Sequence, residues 1–267
     1  MSIPVIPARL LKADGGVVDQ TSIYKVHENR AVNVNSGMPP FVKDRAIKPG
    51  RIAIVGYGPS LIETWTRLRE FDTICTVSKA YNFLTERGIV PTYHVDIDPH
   101  MYKAEFMADP RPETKFFLST HIRPEYIEKL KAAGITPQLF HCGVEPYVKL
   151  DKRYPTIKVR FDAGLQAAEL MFESGYRAQE WLGIEYGTRG KQTHAGLHWG
   201  SSHEKTMCQV DVDGRLFDST ALFFHGLLLA ESFLCERQAL VKCTIHGDGL
   251  LGNFLRVRGR VRFTLKP

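Results

Sequence analysis

Residues 51–68 read RIAIVGYGPSLIETWTRL, an apolar run followed by two glycines, a proline and a helical pattern. Gly56 and Gly58 allow the backbone to turn tightly after a buried strand, and Pro59 suits the first position of a helix. The amide of Ser60 and the two that follow it would then be free at the helix start, where an anion is favoured. The stretch therefore predicts a strand, a turn that binds phosphate or carboxylate, and a helix.

The same alternation of strand and helix patterns continues along the chain. Further β-rich runs follow at 73–78, 92–98, 115–120, 138–143 and 157–162, and helical patterns at 60–71, 79–88, 123–134 and 163–174. This spacing predicts an α/β fold with a Rossmann-like, doubly wound and mostly parallel sheet, whose ligands bind beyond the carboxyl ends of the strands. The predicted organisation is an irregular N-terminal arm (1–48), a nucleotide-binding catalytic domain (49–254) and a small C-terminal β element, a basic strand (255–267).

The glycine turn differs from the dinucleotide fingerprint of dehydrogenases. Leu61 stands where that fingerprint needs its third glycine, and no acidic residue ends the second predicted strand. Ser78 and Lys79 occur there instead, and a lysine suits a phosphate better than a ribose. We therefore expect a nucleotide site without NAD.

Composition narrows the class of protein further. The chain has 267 residues, 43% of them hydrophobic, and no run of roughly 20 apolar residues that would span a membrane. Five scattered cysteines without a CxxC pair, and an N-terminus without a secretory pattern, predict a cytoplasmic location. The net charge of +6 suits an anionic ligand such as a nucleotide, and permits a nucleic-acid partner. The oligomeric state is left open.

Polar residues at the other predicted strand ends are candidates for binding and chemistry. Asp96 and Asp98 share one face of a strand and could hold Mg²⁺ or a ribose, act as a base, or cap the following turn. Ser119, His121 and Gly143 end two further strands and could line an acceptor or donor pocket, although structural roles are equally open.

A glycine-rich stretch, QTHAGLHWGSSHE at 192–204, carries three histidines, His194, His198 and His203. A histidine near its ordinary pKa can take a proton from an acceptor hydroxyl or stabilise a leaving phosphate. A zinc site is not favoured, because the HExxH acid is absent. Three more candidates for the pocket are Glu185, Tyr186 and Thr193, and Thr220 is either a fourth or a helix cap.

Several motifs in order along residues 50–254 resemble the family of Maf-type flagellin glycosyltransferases and MptE-type 6-hydroxymethylpterin pyrophosphokinases. They are IVGYGPSL (54–61), FLTERGIVPTYHVDIDP (83–99), GIEYGTRGKQTHAGLHWG (183–200), DSTALFFHGLLLAESF (218–233) and IHGDGLLGNF (245–254). The resemblance implies that His194, on the family's T-H-A, and Asp98 are the catalytic candidates. Lys79 and Glu185 depart from the family pattern, which has a pair of a small residue and an asparagine near the first position and an aspartate at the second.

Two chemistries compete within that family. Asp98-Pro99 matches the glycosyltransferase branch, which implies sugar transfer from a nucleotide-sugar donor, CMP-linked in its best-known cases, to a hydroxyl acceptor. The pyrophosphokinase branch implies ATP and magnesium acting on a pterin-like alcohol. A non-catalytic nucleotide- or nucleic-acid-binding protein is the third reading.

The C-terminal stretch offers a possible nucleic-acid contact. Arginines recur at every second position, at Arg256, Arg258, Arg260 and Arg262, alternating with mostly apolar residues. A single extended strand would carry all four on one face, either as a row of phosphate contacts or as a solubilising edge.

Overall fold

The computed structural model describes residues 23–44, 46–100, 107–142, 150–158, 162–190, 192–195, 197–198, 207–257 and 261–265. Its strands, in chain order, are β1 (Ile52–Val55), β2 (Ile74–Val77), β3 (Tyr93–Asp96), β4 (Lys115–Ser119), β5 (Gln138–Cys142), β6 (Thr156–Ile157), β7 (Ala178–Leu182), β8 (Gln192–His194), β9 (Leu197–His198), β10 (Met207–Val212), β11 (Arg215–Thr220), β12 (Lys242–Ile245) and β13 (Val261–Leu265). The helices are α1 (Ile23–Val34), α2 (Leu61–Thr64) with a 3₁₀ turn after it (Trp65–Glu70), α3 (Ala80–Thr85), α4 (Pro124–Ala132), α5 (Ala163–Glu173), α6 (Ala221–Arg237) and α7 (Leu250–Arg256).

The central sheet has eight parallel strands in the order β12-β7-β1-β2-β3-β4-β5-β6. The chain builds the sheet outward from β1 in one direction and returns to its other side with β7, so the strand order switches beside β1. All eight carboxyl ends meet at one edge, and a ligand crevice is expected at the switch. The predicted α/β class with a mostly parallel sheet is confirmed.

Helices cover both faces of the sheet because both faces of its strands are apolar. In β1, Ile52 and Ile54 belong to the core beneath α5, α6 and α7, whereas Ala53 and Val55 pack with α2 and α3 on the opposite face. A third cluster joins α4 to β4 and β5. None of the helices in the described ranges has both the length and the apolar character that a membrane crossing requires.

Two features of the fold differ from the sequence patterns. The arm predicted as irregular contains α1, a helix of 12 residues. The strand expected at 157–162 is described only at its start, as β6. The small C-terminal β element is present as β13. It pairs antiparallel with β10, the middle strand of a three-stranded sheet in the order β11-β10-β13.

Candidate active site

The glycine turn after β1 packs directly against the end of β7. The Gly56 amide donates to the Leu182 carbonyl at 2.9 Å, and the Gly58 amide donates to the Gly183 carbonyl at 2.8 Å. A Cβ on Gly58 would lie 2.6 Å from the same carbonyl oxygen, closer than real atoms approach. The two glycines are therefore needed for this close approach of the two strand ends.

The helix start after this turn already has an anion, and the protein supplies it. The Ser60 amide donates to the carboxylate of Glu185, and Ser60 is fully buried. The next two amides, of Leu61 and Ile62, bond to carbonyl oxygens inside the turn. The expectation that these three amides are free is wrong, because a side chain 125 positions later reaches the first of them.

Glu185 connects three segments at the switch point. Its backbone carbonyl accepts the Leu251 amide at 2.9 Å. A Cβ on Gly249 would lie 2.7 Å from the Glu185 Cβ. Burial raises the pKa of the Glu185 carboxyl, and the Ser60 amide and the Arg189 charge oppose that rise. Glu185 thus joins the end of β7 to the glycine turn through its carboxylate and to the start of α7 through its backbone carbonyl.

His194 lies beside the glycine turn, as expected if the two motifs belong to one site. The Ala195 amide donates to the Tyr57 carbonyl at 2.9 Å, and the rings of His194 and Tyr57 are 6.2 Å apart. The Nδ1 of His194 is 2.9 Å from the hydroxyl of Thr193, and Phe223 faces the ring edge-on at 6.3 Å. The structure therefore brings His194 and Thr193 to the turn, half-buried and buried respectively. The side chain of His198, and His203 as a whole, lie outside the described residues.

A cavity of about 300 Å³ opens next to Glu185, between the ends of β7 and β12. Its lining carries both signs of charge: Glu185, Arg189, Arg215, Asp218 and Asp248. Two pairs fix its cationic side chains, because Arg189 pairs with Glu63 and Arg215 forms two bonds to Asp248, at 2.8 and 2.7 Å. The cavity is thus lined by charged side chains beside the switch point of the sheet.

Asp96 and Asp98 both bond to the turn that follows β3. One oxygen of Asp96 accepts the Asp98 amide at 3.0 Å, and one oxygen of Asp98 accepts the His100 amide at 3.0 Å and contacts its ring. Strands lie about 4.8 Å apart, so β3 ends about 10 Å from β1 along the edge. The two carboxylates thus cap the exit turn, and their roles toward a nucleotide or Mg²⁺ stay predictions.

Ser119 ends β4 and His121 follows it, and the His121 ring contacts the turn after β3. The Ser119 hydroxyl accepts the His121 amide at 3.3 Å, and the His121 ring donates from Nε2 to the Ile97 carbonyl at 2.7 Å. Burial lowers the pKa of His121 to about 4. Asp98, Ser119 and His121 therefore form one group at the β3 and β4 ends, separate from the glycine turn. Gly143, expected near them, lies outside the described residues.

Two residues with left-handed backbone lie after the ends of the strands on either side of β1. Ser78 after β2 has φ 51° and Tyr186 after β7 has φ 55°. Such residues are uncommon and cluster at functional sites. The Tyr186 hydroxyl donates to the Asp162 carboxylate at 2.7 Å. Lys79, directly after Ser78, is the N-cap residue of α3. The strain at both neighbours of β1 marks the switch point as the candidate active site.

Thr220 has the capping role that the sequence left open, whereas Arg256 differs from its prediction. The hydroxyl of Thr220 accepts the Phe223 amide at 3.0 Å, so Thr220 caps α6. Arg256 is the last residue of α7, and its Nε donates to the Gly252 carbonyl at 3.1 Å. The prediction that Arg256 belongs to a single arginine strand is therefore wrong, since the chain is helical there. Arg262 is in β13, opposite Asp211; its side chain, Arg258 and Arg260 lie outside the described residues.

Sequence reasoning missed the residues of α1 that reach this edge. Asn29 donates to the His121 carbonyl at 3.2 Å, and Asn33 donates to the carbonyls of Thr120 and Ile122 at 3.0 and 2.8 Å. Both asparagines are 1% exposed. Their spacing of four along a helix is the signal that could have found them.

Comparisons with known proteins agree with this architecture. The family described as "6-hydroxymethylpterin diphosphokinase MptE-like" matches residues 26–177, which begin inside α1 and include the glycine turn. The Maf glycosyltransferase of Magnetospirillum magneticum AMB-1 superposes with a TM-score of 0.60 at 13% identity, over 90% of this chain and 42% of that protein. The chain thus spans under half of that protein's length, and at this identity the likeness concerns the fold.

Two structures of a mammalian sialyltransferase are also similar, at lower TM-scores. One, in complex with Gal-beta-1-3GalNAc-ortho-nitrophenol, has a TM-score of 0.38 at 12% identity, with 84% and 85% of the two chains covered. The other has a TM-score of 0.41 at 13% identity, with 89% and 82% covered. No curated protein sequence matches this chain.

Proposed function

The chain belongs to the MptE-like family, and on that premise we propose that it is a nucleotide-dependent transferase that moves a sugar from a nucleotide-sugar donor to a hydroxyl acceptor. The observation that carries the proposal is the contact of the His194 segment with the glycine turn, through the 2.9 Å bond from Ala195 to Tyr57. This contact joins a proton-transfer group to the switch point of a parallel sheet, where nucleotides bind in such folds. The fold shared with a Maf glycosyltransferase supports the same choice.

In this proposal the donor's phosphate lies beside the glycine turn, because the end of β7 fills the space where side chains of Gly56 and Gly58 would stand. Because the Ser60 amide is taken by Glu185, the phosphate is held chiefly by side chains. Lys79, which follows the neighbouring strand β2, and His194, beside the turn, are the candidates. Asp96 and Asp98 would bind the ribose about 10 Å along the edge, a reach that suits a nucleotide.

His194 would transfer the proton in the reaction. A half-buried imidazole beside the turn can accept the proton of an acceptor hydroxyl or stabilise the leaving phosphate. The hydrogen bond between Thr193 and Nδ1 fixes the orientation of its ring. A positioned acid or base of this kind contributes roughly a hundredfold or more to the rate.

A pyrophosphokinase acting on a pterin-like alcohol is the second candidate, favoured by the description of the matching family. It would need Mg²⁺ with ATP. Within the described residues no group of three or more His, Cys, Asp or Glu side chains could hold a metal ion. Asp96 and Asp98 offer two carboxylates, which fits Mg²⁺ only where substrate phosphates and water complete its six ligands. When bound, the ion would neutralise phosphate charge.

A thermal-shift screen separates the two candidates. The protein is heated with CMP, UDP, GDP, ADP or ATP, each with and without Mg²⁺, and a ligand that binds the folded state raises the midpoint. Stabilisation by a nucleoside mono- or diphosphate without metal is expected for sugar transfer. Stabilisation by ATP only with Mg²⁺ would favour the pyrophosphokinase, and no response to any nucleotide would contradict both.

A further inference from the structure

A buried arginine lies on the face of α1 that covers the β4 and β5 ends. Arg30 is 6% exposed, and its Nε and Nη1 atoms have no hydrogen-bond partner among the described residues. No carboxylate of the described residues forms an ion pair with it either. An unpaired buried charge is costly, so native proteins normally pair it.

The asparagines on either side of Arg30 fix its position. Asn29 and Asn33 bond to three carbonyls of the turn after β4, at 2.8 to 3.2 Å. The Arg30 charge helps burial to lower the pKa values of His121 and His141, and it opposes the rise that burial causes in the pKa of Cys142. The guanidinium therefore lies close enough to the carboxyl ends of β4 and β5 to act on the titratable side chains there.

His121, in the same place, has an open hydrogen-bonding position. Its Nε2 must carry the hydrogen, because its partner, the Ile97 carbonyl, can only accept. Nδ1 of the neutral ring is then an acceptor, and it is buried without a partner in the described part of the chain. The neighbouring His141 differs, since both of its nitrogens are bonded, to Thr120 at 2.7 Å and to the Asp151 carbonyl at 3.0 Å.

We propose that Arg30 and His121 form a binding site for an oxyanion that carries an adjacent hydroxyl. The guanidinium would bind the phosphate or carboxylate through an N–H donor that the described residues leave unpaired, and the hydroxyl would donate to Nδ1 of His121. Phosphate monoesters and hydroxy acids both have this chemistry. The assignment of this ligand to the acceptor rests on the proposed transferase function, whereas the anion site itself does not.

Inorganic phosphate is the probe, because it offers an anion and a P–OH donor in one molecule. Its affinity is measured by calorimetry at constant ionic strength and without nucleotide, for the wild type, Arg30→Met and Arg153→Met. Arg153 is the matched control, since its guanidinium also contacts α1, at the Val34 carbonyl, but is exposed and paired with Asp151. Glycolate, which has a hydroxyl next to its carboxylate, is tested in parallel to distinguish a hydroxy acid from a phosphate as the ligand.

Phosphate is expected to bind the wild type and Arg153→Met alike, and Arg30→Met about tenfold or more weakly. Without ligand, Arg30→Met should unfold at the same temperature as the wild type or higher, because an unpaired buried charge is removed. Arg30→Lys keeps the charge but not the planar guanidinium, so it should fold and should bind phosphate more weakly than the wild type.

Equal phosphate affinity of the wild type and Arg30→Met would overturn the proposal, as would a strongly destabilised Arg30→Met. Failure of the nucleotide screen would remove the transferase function and the acceptor assignment, yet leave an Arg30-dependent phosphate site standing.

Discussion

The Glu185 carboxylate accepts the backbone N–H of Ser60, so the helix that follows the glycine turn is capped by a side chain from the end of β7. The pair joins the two strands between which the sheet changes its direction of growth. Any nucleotide at the turn binds next to this carboxylate, whose charge state then affects both stability and binding.

Glu185→Gln should become more stable relative to the wild type as the pH rises. Burial raises the pKa of Glu185 above its ordinary value of 4.5. The folded protein therefore binds this proton more tightly than the unfolded chain, and stability is lost as the pH rises through the raised pKa. Urea unfolding between about pH 4 and about pH 8 measures the difference.

Glu185→Ala is the companion variant. It leaves the buried Ser60 amide without an acceptor, which costs about 1 to 3 kcal/mol, whereas the glutamine oxygen can still accept. A Gln variant that is as destabilised as the Ala variant would show that the amide bond is not what the side chain provides.

Gly58→Ala should destabilise the protein by about 2 kcal/mol or more. The new Cβ would lie 2.6 Å from the Gly183 carbonyl and 2.8 Å from the Glu185 carboxylate. Gly252→Ala is the control, because its Cβ in α7 meets nothing closer than 3.5 Å and alanine favours a helix. Thermal midpoints compare the two; equal midpoints would contradict the close approach of β1 and β7.

Much of the site could be predicted from local sequence, and the rest depends on tertiary contacts. The glycine turn and the strand ends at Asp96 and Ser119 follow from short patterns of apolar residues and breakers. The Ser60–Glu185 bond joins residues 125 positions apart, and no local pattern contains it. The place of Glu185 at a predicted strand end made it a pocket candidate, but not the anion that occupies the helix start.

The N-terminal helix and Arg256 show two other limits. The α1 sequence IYKVHENRAVNV has no acidic first turn and no basic last turn, and contacts with the turn after β4 stabilise it. Alternating arginines predict a strand from period two alone, yet Arg256 ends a helix whose Leu250 and Phe254 are buried. Packing decided both cases.

Thr220→Ala should cost about 1 kcal/mol of stability and leave nucleotide affinity unchanged. The Thr220 hydroxyl caps α6 by accepting the Phe223 amide, a local role that is independent of a ligand. Thr220→Ser keeps the hydroxyl and should match the wild type in both measurements. A loss of nucleotide affinity in Thr220→Ala, with Ser unchanged, would return Thr220 to the pocket.

The role proposed for His194 is tested by the rate at which the protein releases nucleotide from a bound nucleotide-sugar. The donor is one whose nucleotide stabilises the protein, and His194→Ala is compared with the wild type and with His198→Ala, a second histidine of the same loop. His194→Ala should bind the donor with unchanged affinity and release nucleotide at about one hundredth of the wild-type rate or less. His198→Ala should keep the wild-type rate. Release by His194→Ala at the wild-type rate would contradict a role for His194 in proton transfer.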